Sequence, residues 1–249
     1  MASLLLSLVA GWVDGCTFLA LFGLFVAQVT GSFVAAGAQI ARPGQGFLLI
    51  TFAIPIFLVA GAVTTLLVVR TNDRVGSPLA WSLALESALL TGFFVVGIVG
   101  SPFDNPHAPL AVIAGLFGLA AMGTQSALVQ LLMHGTPSTN VMTTNTTQIA
   151  ILATKAVLCW QAQRSATGDS AAAQLASTKD RLAAVLLVVS GFLTGTIAGV
   201  LAYSAMHLWC LLGPIAAILR LLIWSLQSPS LHTLTTPQGG ALTGQIDSS

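Results

Sequence analysis

Asp14, Glu86 and Lys155 are three charged residues set deep inside apolar runs of this chain. An ionised side chain at the centre of a membrane helix costs about 2.5–3.5 kcal/mol on the translocon-insertion scale. Such residues therefore turn toward a protein interior or a water-filled cavity and find a partner there. Asp14 suits a proton- or substrate-linked site, with Lys155 as an ion-pair partner from the other half of the chain. It equally suits a neutral buried acid bonded to backbone freed by a helix break. Glu86, about two turns into its run from Pro78, and Lys155 each lie where the interface is within reach, which leans both toward a structural part. Two uncharged clusters are the stronger signal. Gln28, Thr30, Gly31 and Ser32 form one; the other runs from Ser138 to Gln148 and holds Thr139, Asn140, Thr143, Thr144 and Asn145. They place hydroxyls, amides and a glycine where apolar residues are expected. A broken helix offers its free N–H groups to an anion, or its free carbonyls to a cation, and Thr and Asn side chains add donors and acceptors. The competing account is glue between helices, worth about 0.6 kcal/mol per hydrogen bond.

Other chemistry lacks support. The chain holds no GxSxG, HExxH or P-loop pattern. His107 and His134 sit at the ends of apolar runs, His207 opens one and His232 lies in the tail, with no acidic or cysteine partner at metal-ligand spacing. Cys16, Cys159 and Cys210 are far apart in apolar surroundings and read as small buried residues. The expectation is no catalytic residue, no metal, no cofactor and no enzyme. Asp14 beside the Thr/Ser clusters lacks the second carboxylate or histidine that an acid–base pair needs.

Composition sets the solvent. Of 249 residues 55% are hydrophobic and 6% charged, and the mean hydropathy is +0.92. Soluble domains carry about a quarter charged residues, so these charges cannot cover a water-facing surface. With 8 Lys and Arg against 7 Asp and Glu, the formal charge of +1 gives no electrostatic ground for nucleic-acid binding. The lipid bilayer and a small solute are the expected partners, and a homo-oligomer is compatible with the composition. The N-terminal run lacks a positive segment and a small-residue cleavage site, and reads as retained rather than as a signal peptide.

The elements that must position these residues follow from a ruler of about 20 apolar residues per crossing. Residues 47–69, 79–100, 109–133, 182–204 and 206–226 each fit one span. The joints are 42–46, 70–78, 101–109 and the stretch 161–181, and the tail 228–249 reads as disordered. Residues 4–41 and 109–160 do not fit. Each is too long for one helix and carries a polar cluster, and irregular backbone at membrane depth survives only when protein or water surrounds it. Discontinuous helices are expected in both. Placing Arg70 and Arg74 on the same side as Arg164, Lys179 and Arg181 requires an even number of crossings between them. The total is then six, with both termini cytoplasmic, Arg220 snorkelling inward and Arg42 alone on the outside.

The two awkward stretches resemble each other. Asp14 follows AGWV and precedes QVTGSFV; Gln125 follows AMGT and precedes NVMTTNTTQI. A span opening FLVAGAVTTLL at Phe57 then matches one opening FLTGTIAGVLA at Phe192. Three net crossings per copy is odd, so the copies insert in opposite orientations, as in secondary transporters. Residues 1–105 and 106–227 are the expected repeats.

At these clusters the chain also resembles a known family. The run Gly11-Trp12-Val13-Asp14, the segment from Phe25 to Ser32, and Gly123-Thr124-Gln125-Ser126-Ala127 followed by Thr139 to Asn145 are similar to motifs of the YoaK family of bacterial membrane proteins, over roughly residues 5–225. Gly15, Ser32, Ser126 and Thr144 stand where that family has Ala, Asn, Asn and Gly. Polarity is retained at the sites, but Thr144 lacks the backbone freedom of glycine. The resemblance implies about six crossings of a bacterial cytoplasmic membrane and no activity, because that family is one of unknown function.

Taken together, the residues predict an all-α membrane protein of two inverted repeats with discontinuous first helices. The expected function is transport of a small solute, with Thr30, Gly31, Ser32, Thr143, Thr144 and Asn145 at the site and Asp14 and Gln125 supporting it. The alternative is a non-transporting scaffold or accessory subunit.

Overall fold

The computed structural model describes residues 2–41, 47–72, 77–165 and 169–227. Eight α-helices account for most of them: α1 (Ala2–Ala20), α2 (Val29–Ala41), α3 (Phe47–Asn72), α4 (Pro78–Gly100), α5 (Pro109–Leu132), α6 (Met142–Ser165), α7 (Asp169–Met206) and α8 (Leu212–Gln227). A 3-10 turn, His207–Leu211, joins the last two, and no strand occurs among the described residues. Among the described residues, five helical stretches are long and apolar enough to cross a membrane: Ala2–Ala20, Ile50–Thr71, Pro78–Gly100, Pro109–Leu132 and Ala172–Gln227. The chain is a multi-pass helical membrane protein. Proline at the first position of α4 and of α5 sets where each begins, since its missing N–H is one the helix start does not use.

The two expected discontinuities are present. Between α1 and α2 the backbone enters the left-handed region at Phe22 (φ 56°) and Gly23 (φ 84°); between α5 and α6 it does so at Gly135 (φ 80°). At the first break the Leu21 N–H donates to the Thr17 carbonyl at 2.8 Å and the Gly23 N–H to the Phe18 carbonyl at 2.9 Å, closing off α1 before the chain turns back.

Helix pairing is long-range. α1 packs along α7, and small residues let the backbones meet. A Cβ added at Gly195 would fall on the Leu8 carbonyl, one at Gly199 on the Trp12 backbone and one at Gly11 on the Phe192 carbonyl. Ser7 Oγ donates to the Val188 carbonyl at 2.6 Å across this seam. α5 packs on α3 and α4, α4 on α8, α2 on α3 and α6 on α7. The interior holds Leu6, Val13, Leu83, Leu90, Phe93, Leu119 and Met122, while Leu58, Val99, Leu201 and Leu226 face outward, as lipid contact requires.

Two expectations need correction. The described parts of the expected joint 161–181 are helical rather than loop: α6 continues to Ser165 and α7 starts at Asp169, with 166–168 outside the described residues. Ala is the commonest residue of the stretch, followed by Gln and Ser, and Ala and Gln favour helix regardless of hydropathy. Glu86 does not reach an interface, because its side chain is fully buried. Arg42 and Arg74, the joint 42–46, residues 73–76 of the joint 70–78 and the tail 228–249 lie outside the described residues.

Candidate functional site

Asp14 closes the first break. It projects from α1 into the interior, and its Oδ1 accepts the backbone N–H groups of Val26 and Ala27, each at 2.8 Å. Those two donors precede α2 and have no helical acceptor, so the carboxylate satisfies groups that the break would otherwise strand. Lys155 lies exposed on α6, and no ion pair joins it to Asp14 among the described residues. The pairing across halves is therefore replaced by a bond from acid to backbone.

Gln125 serves the second break from α5. Its Nε2 donates to the Leu6 carbonyl of α1 at 2.8 Å, to Thr139 Oγ1 at 3.3 Å and to Asn140 Oδ1 at 3.5 Å. Thr139 Oγ1 in turn donates to Asn140 Oδ1 at 2.9 Å, and Asn140 Nδ2 to the Met122 carbonyl at 3.3 Å. The Ser138 hydroxyl receives the N–H groups of Asn140 and Val141, and Asn145 Nδ2 reaches back to the Ser138 carbonyl at 2.6 Å. Gln125, Thr139, Asn140 and Asn145 are all buried. In this network Gln125 Oε1 has no hydrogen-bond partner among the described residues, nor does Oγ1 of the adjacent Thr124; on α4 both carboxyl oxygens of Glu86 are likewise without one.

The two breaks open into one cavity. Ala27, Gln28 and Thr30 from the first and Asn140, Val141, Met142 and Thr143 from the second line a partly open space of about 330 Å³, bordered by Ile54 and Phe57 of α3 and by Ser126 and Gln130 of α5, with the exposed Leu58 at its rim. Its walls include the first turns of α2 and α6, whose leading N–H groups lack intrahelical acceptors and carry the positive end of the helix dipole.

Helix phase divides the other predicted residues. Gly31 and Ser32 face a separate cavity of about 220 Å³ with Phe22, Phe25 and Pro106. Thr144 and Asn145 border another, of about 510 Å³, with His134, Ser138 and Gln148. Gln28, Thr30, Asn140 and Thr143 thus come together, whereas Asp14, Gln125 and Thr139 hold the surrounding backbone. Ser126 and Gln130 were missed as lining residues. They stand four apart in an apolar helix, which puts them on one face, and that spacing is the signal that could have found them.

No group of three or more His, Cys, Asp or Glu comes together among the described residues in a way that could hold a metal ion. Cys16 and Cys210 are buried against each other with their Sγ atoms 2.9 Å apart, and Cys159 is half-buried. No curated protein and no solved structure matches the chain. Residues 2–224 do match a family model, and this helical membrane protein with its two broken helices belongs to that family, described as protein of unknown function (DUF1275).

Proposed function

We propose that the protein carries a small polar solute across the bacterial cytoplasmic membrane, bound where the two broken helices meet. The observation that carries this reading is the shared cavity of about 330 Å³, to which both breaks contribute hydroxyl or amide side chains and helix starts. That volume is near the lower end of ligand pockets, which suits a small solute. Helix N-termini favour a solute that presents acceptor oxygens, such as a carboxylate or a polar neutral group.

Two inverted halves, 1–105 and 106–227, with six net crossings and both termini inside, are part of the proposal. The exchange of partners supports it: α1 of the first half packs on α7, and α5 of the second packs on α3. Gly11 meets the backbone at Phe192 and Gly123 meets it at Phe57, the two phenylalanines that the internal similarity aligns. The kinship with the YoaK family belongs to the same reading and rests on the quoted motifs. A homo-oligomer is compatible with it, and neither cofactor nor covalent chemistry is invoked.

The test is reconstitution. Liposomes holding the protein are screened with amino acids and other small polar solutes for flux, and the same solutes for thermal stabilisation. Cysteines placed at Thr30 and Thr143 should react with membrane-impermeant thiol reagents and be protected by whichever solute is transported. Protected cysteines without any solute, together with no flux across the screen, would leave the clusters as packing and favour a scaffold.

A further inference from the structure

Glu86 is fully buried in α4, and neither of its carboxyl oxygens has a partner among the described residues. Charge does not compensate it. Of the elements packed on α4, α5 carries no charged residue, α3 carries only Arg70, exposed near its end, and α8 carries only Arg220, also exposed. The 3-10 turn offers exposed His207 and Cys210, which is engaged with Cys16. Beyond these, the carboxylate of Asp14 on α1 is taken up by Val26 and Ala27.

Register gives the residue level with Glu86 across the interface. α4 and α5 run antiparallel: Gly100 packs on Leu110, Gly92 on Phe117, and Phe93 on Gly118. Seven residues make just under two helical turns, about 10.5 Å of rise, and return to the same face. Moving seven back from Phe93 along α4 reaches Glu86, and seven forward from Gly118 along α5 reaches Gln125. The two side chains share one level of one interface. Gln125 points its Nε2 at the Leu6 carbonyl, which can only accept, so its Oε1 is the atom left over. A carboxylate and an amide oxygen are both acceptors and repel. A carboxylic acid facing the same amide supplies the missing hydrogen, giving Gln125 Oε1 and the protonated Glu86 oxygen each a partner.

We propose that Glu86 is a proton-binding site that controls the second break through Gln125. In the acid form its O–H donates to Gln125 Oε1 and holds Nε2 on Leu6, Thr139 and Asn140. On release the O–H bond breaks, the proton passes to water and the electron pair stays on the carboxylate. The Gln125 amide then turns to donate Nε2 to that carboxylate and lets go of the Leu6 carbonyl, Thr139 and Asn140, the last of which lines the shared cavity. The coupling of this step to solute movement rests on the transport reading; the proton-driven rearrangement does not.

The experiment uses full-length protein in lipid with Cys159→Ser and Thr143→Cys, and a membrane-impermeant methanethiosulfonate as probe. Labelling rates are measured across pH with Glu86 present and in Glu86→Gln, which keeps an N–H donor toward Gln125 and mimics the acid form. The thiol chemistry is common to both, so the ratio of their rates isolates the rearrangement. A ratio that changes several-fold with pH is expected, together with a carboxylic-acid C=O infrared band that disappears at high pH, is absent in Glu86→Gln and persists in Asp14→Asn. A ratio independent of pH, or no band assignable to Glu86, would overturn the proposal. Flux is measured separately: its absence with the ratio and band intact sinks the transport reading alone, and its presence with a flat ratio sinks the proton switch alone.

Discussion

Replacing Asp14 by alanine removes the one acceptor shared by the Val26 and Ala27 N–H groups, both on residues that are themselves buried. Stranding a buried donor costs about 1–3 kcal/mol, so two put the loss at about 2–6 kcal/mol, a large fraction of the 5–15 kcal/mol typical of a folded domain. Asp14→Asn keeps an oxygen in the same place and gives up only the charge assistance of two hydrogen bonds, so its cost should be clearly smaller. Thermal unfolding in detergent ranks the three proteins. Hydrogen exchange by mass spectrometry reads peptide 21–28, where Asp14→Ala should speed exchange at Val26 and Ala27 and Asp14→Asn should largely preserve protection. Equal stability of Asp14→Ala and the parent protein would refute the capping argument. So would an asparagine variant as damaged as the alanine one, which would mean that charge rather than the acceptor atom matters.

Other substitutions test the packing. Gly195→Ala pushes a methyl into the Leu8 backbone and should destabilise by at least about 1–3 kcal/mol, whereas Gly61→Ala meets nothing within 4 Å and should gain up to about 1 kcal/mol from helix propensity; thermal unfolding of the pair reads the opposite signs. Asn145→Asp turns a donor into an acceptor facing the Ser138 carbonyl and should be less stable than Asn145→Ala, with equal losses counting against that hydrogen bond. Mild oxidation should join Cys16 to Cys210 within one molecule, seen by peptide mapping after alkylation and missing in Cys16→Ser; full alkylation of both thiols after oxidation would contradict their juxtaposition.

Breaks were legible in the sequence because polar residues interrupt apolar runs there, and the left-handed backbone at Gly23 and Gly135 falls within the two stretches that had no regular solution. Spans were legible for the same reason, as α3, α4 and α5 track the apolar runs closely. Hydropathy reports the solvent of a segment rather than its backbone, so the polar helical ends of α6 and α7 were read as loop. It also averages around a helix, which hid the complete burial of Glu86 and the part of Ser126 and Gln130 in the cavity wall. Within the clusters, composition could not separate residues that line a space from those that hold backbone. Thr143 and Asn145 are two residues apart, yet one borders the shared cavity and the other is spent on Ser138.

The seam between α1 and α7 also governs how the chain is made. Ser7 and its acceptor at Val188 are 181 residues apart, and Cys16 and Gly199 are 183 apart. α1 is therefore made long before α7 and waits in the bilayer with Gly11 and Gly15 uncovered by α7 and the Ser7 hydroxyl without its acceptor. Closing this seam is a late event that joins α1 to a helix more than 180 residues further along. A nascent chain halted before residue 188 holds every residue of the first break, and the Gln125 that reaches the Leu6 carbonyl, but lacks the Val188 carbonyl and the α7 backbone at Phe192 and Thr196 on which Ser7, Gly11 and Gly15 come to rest.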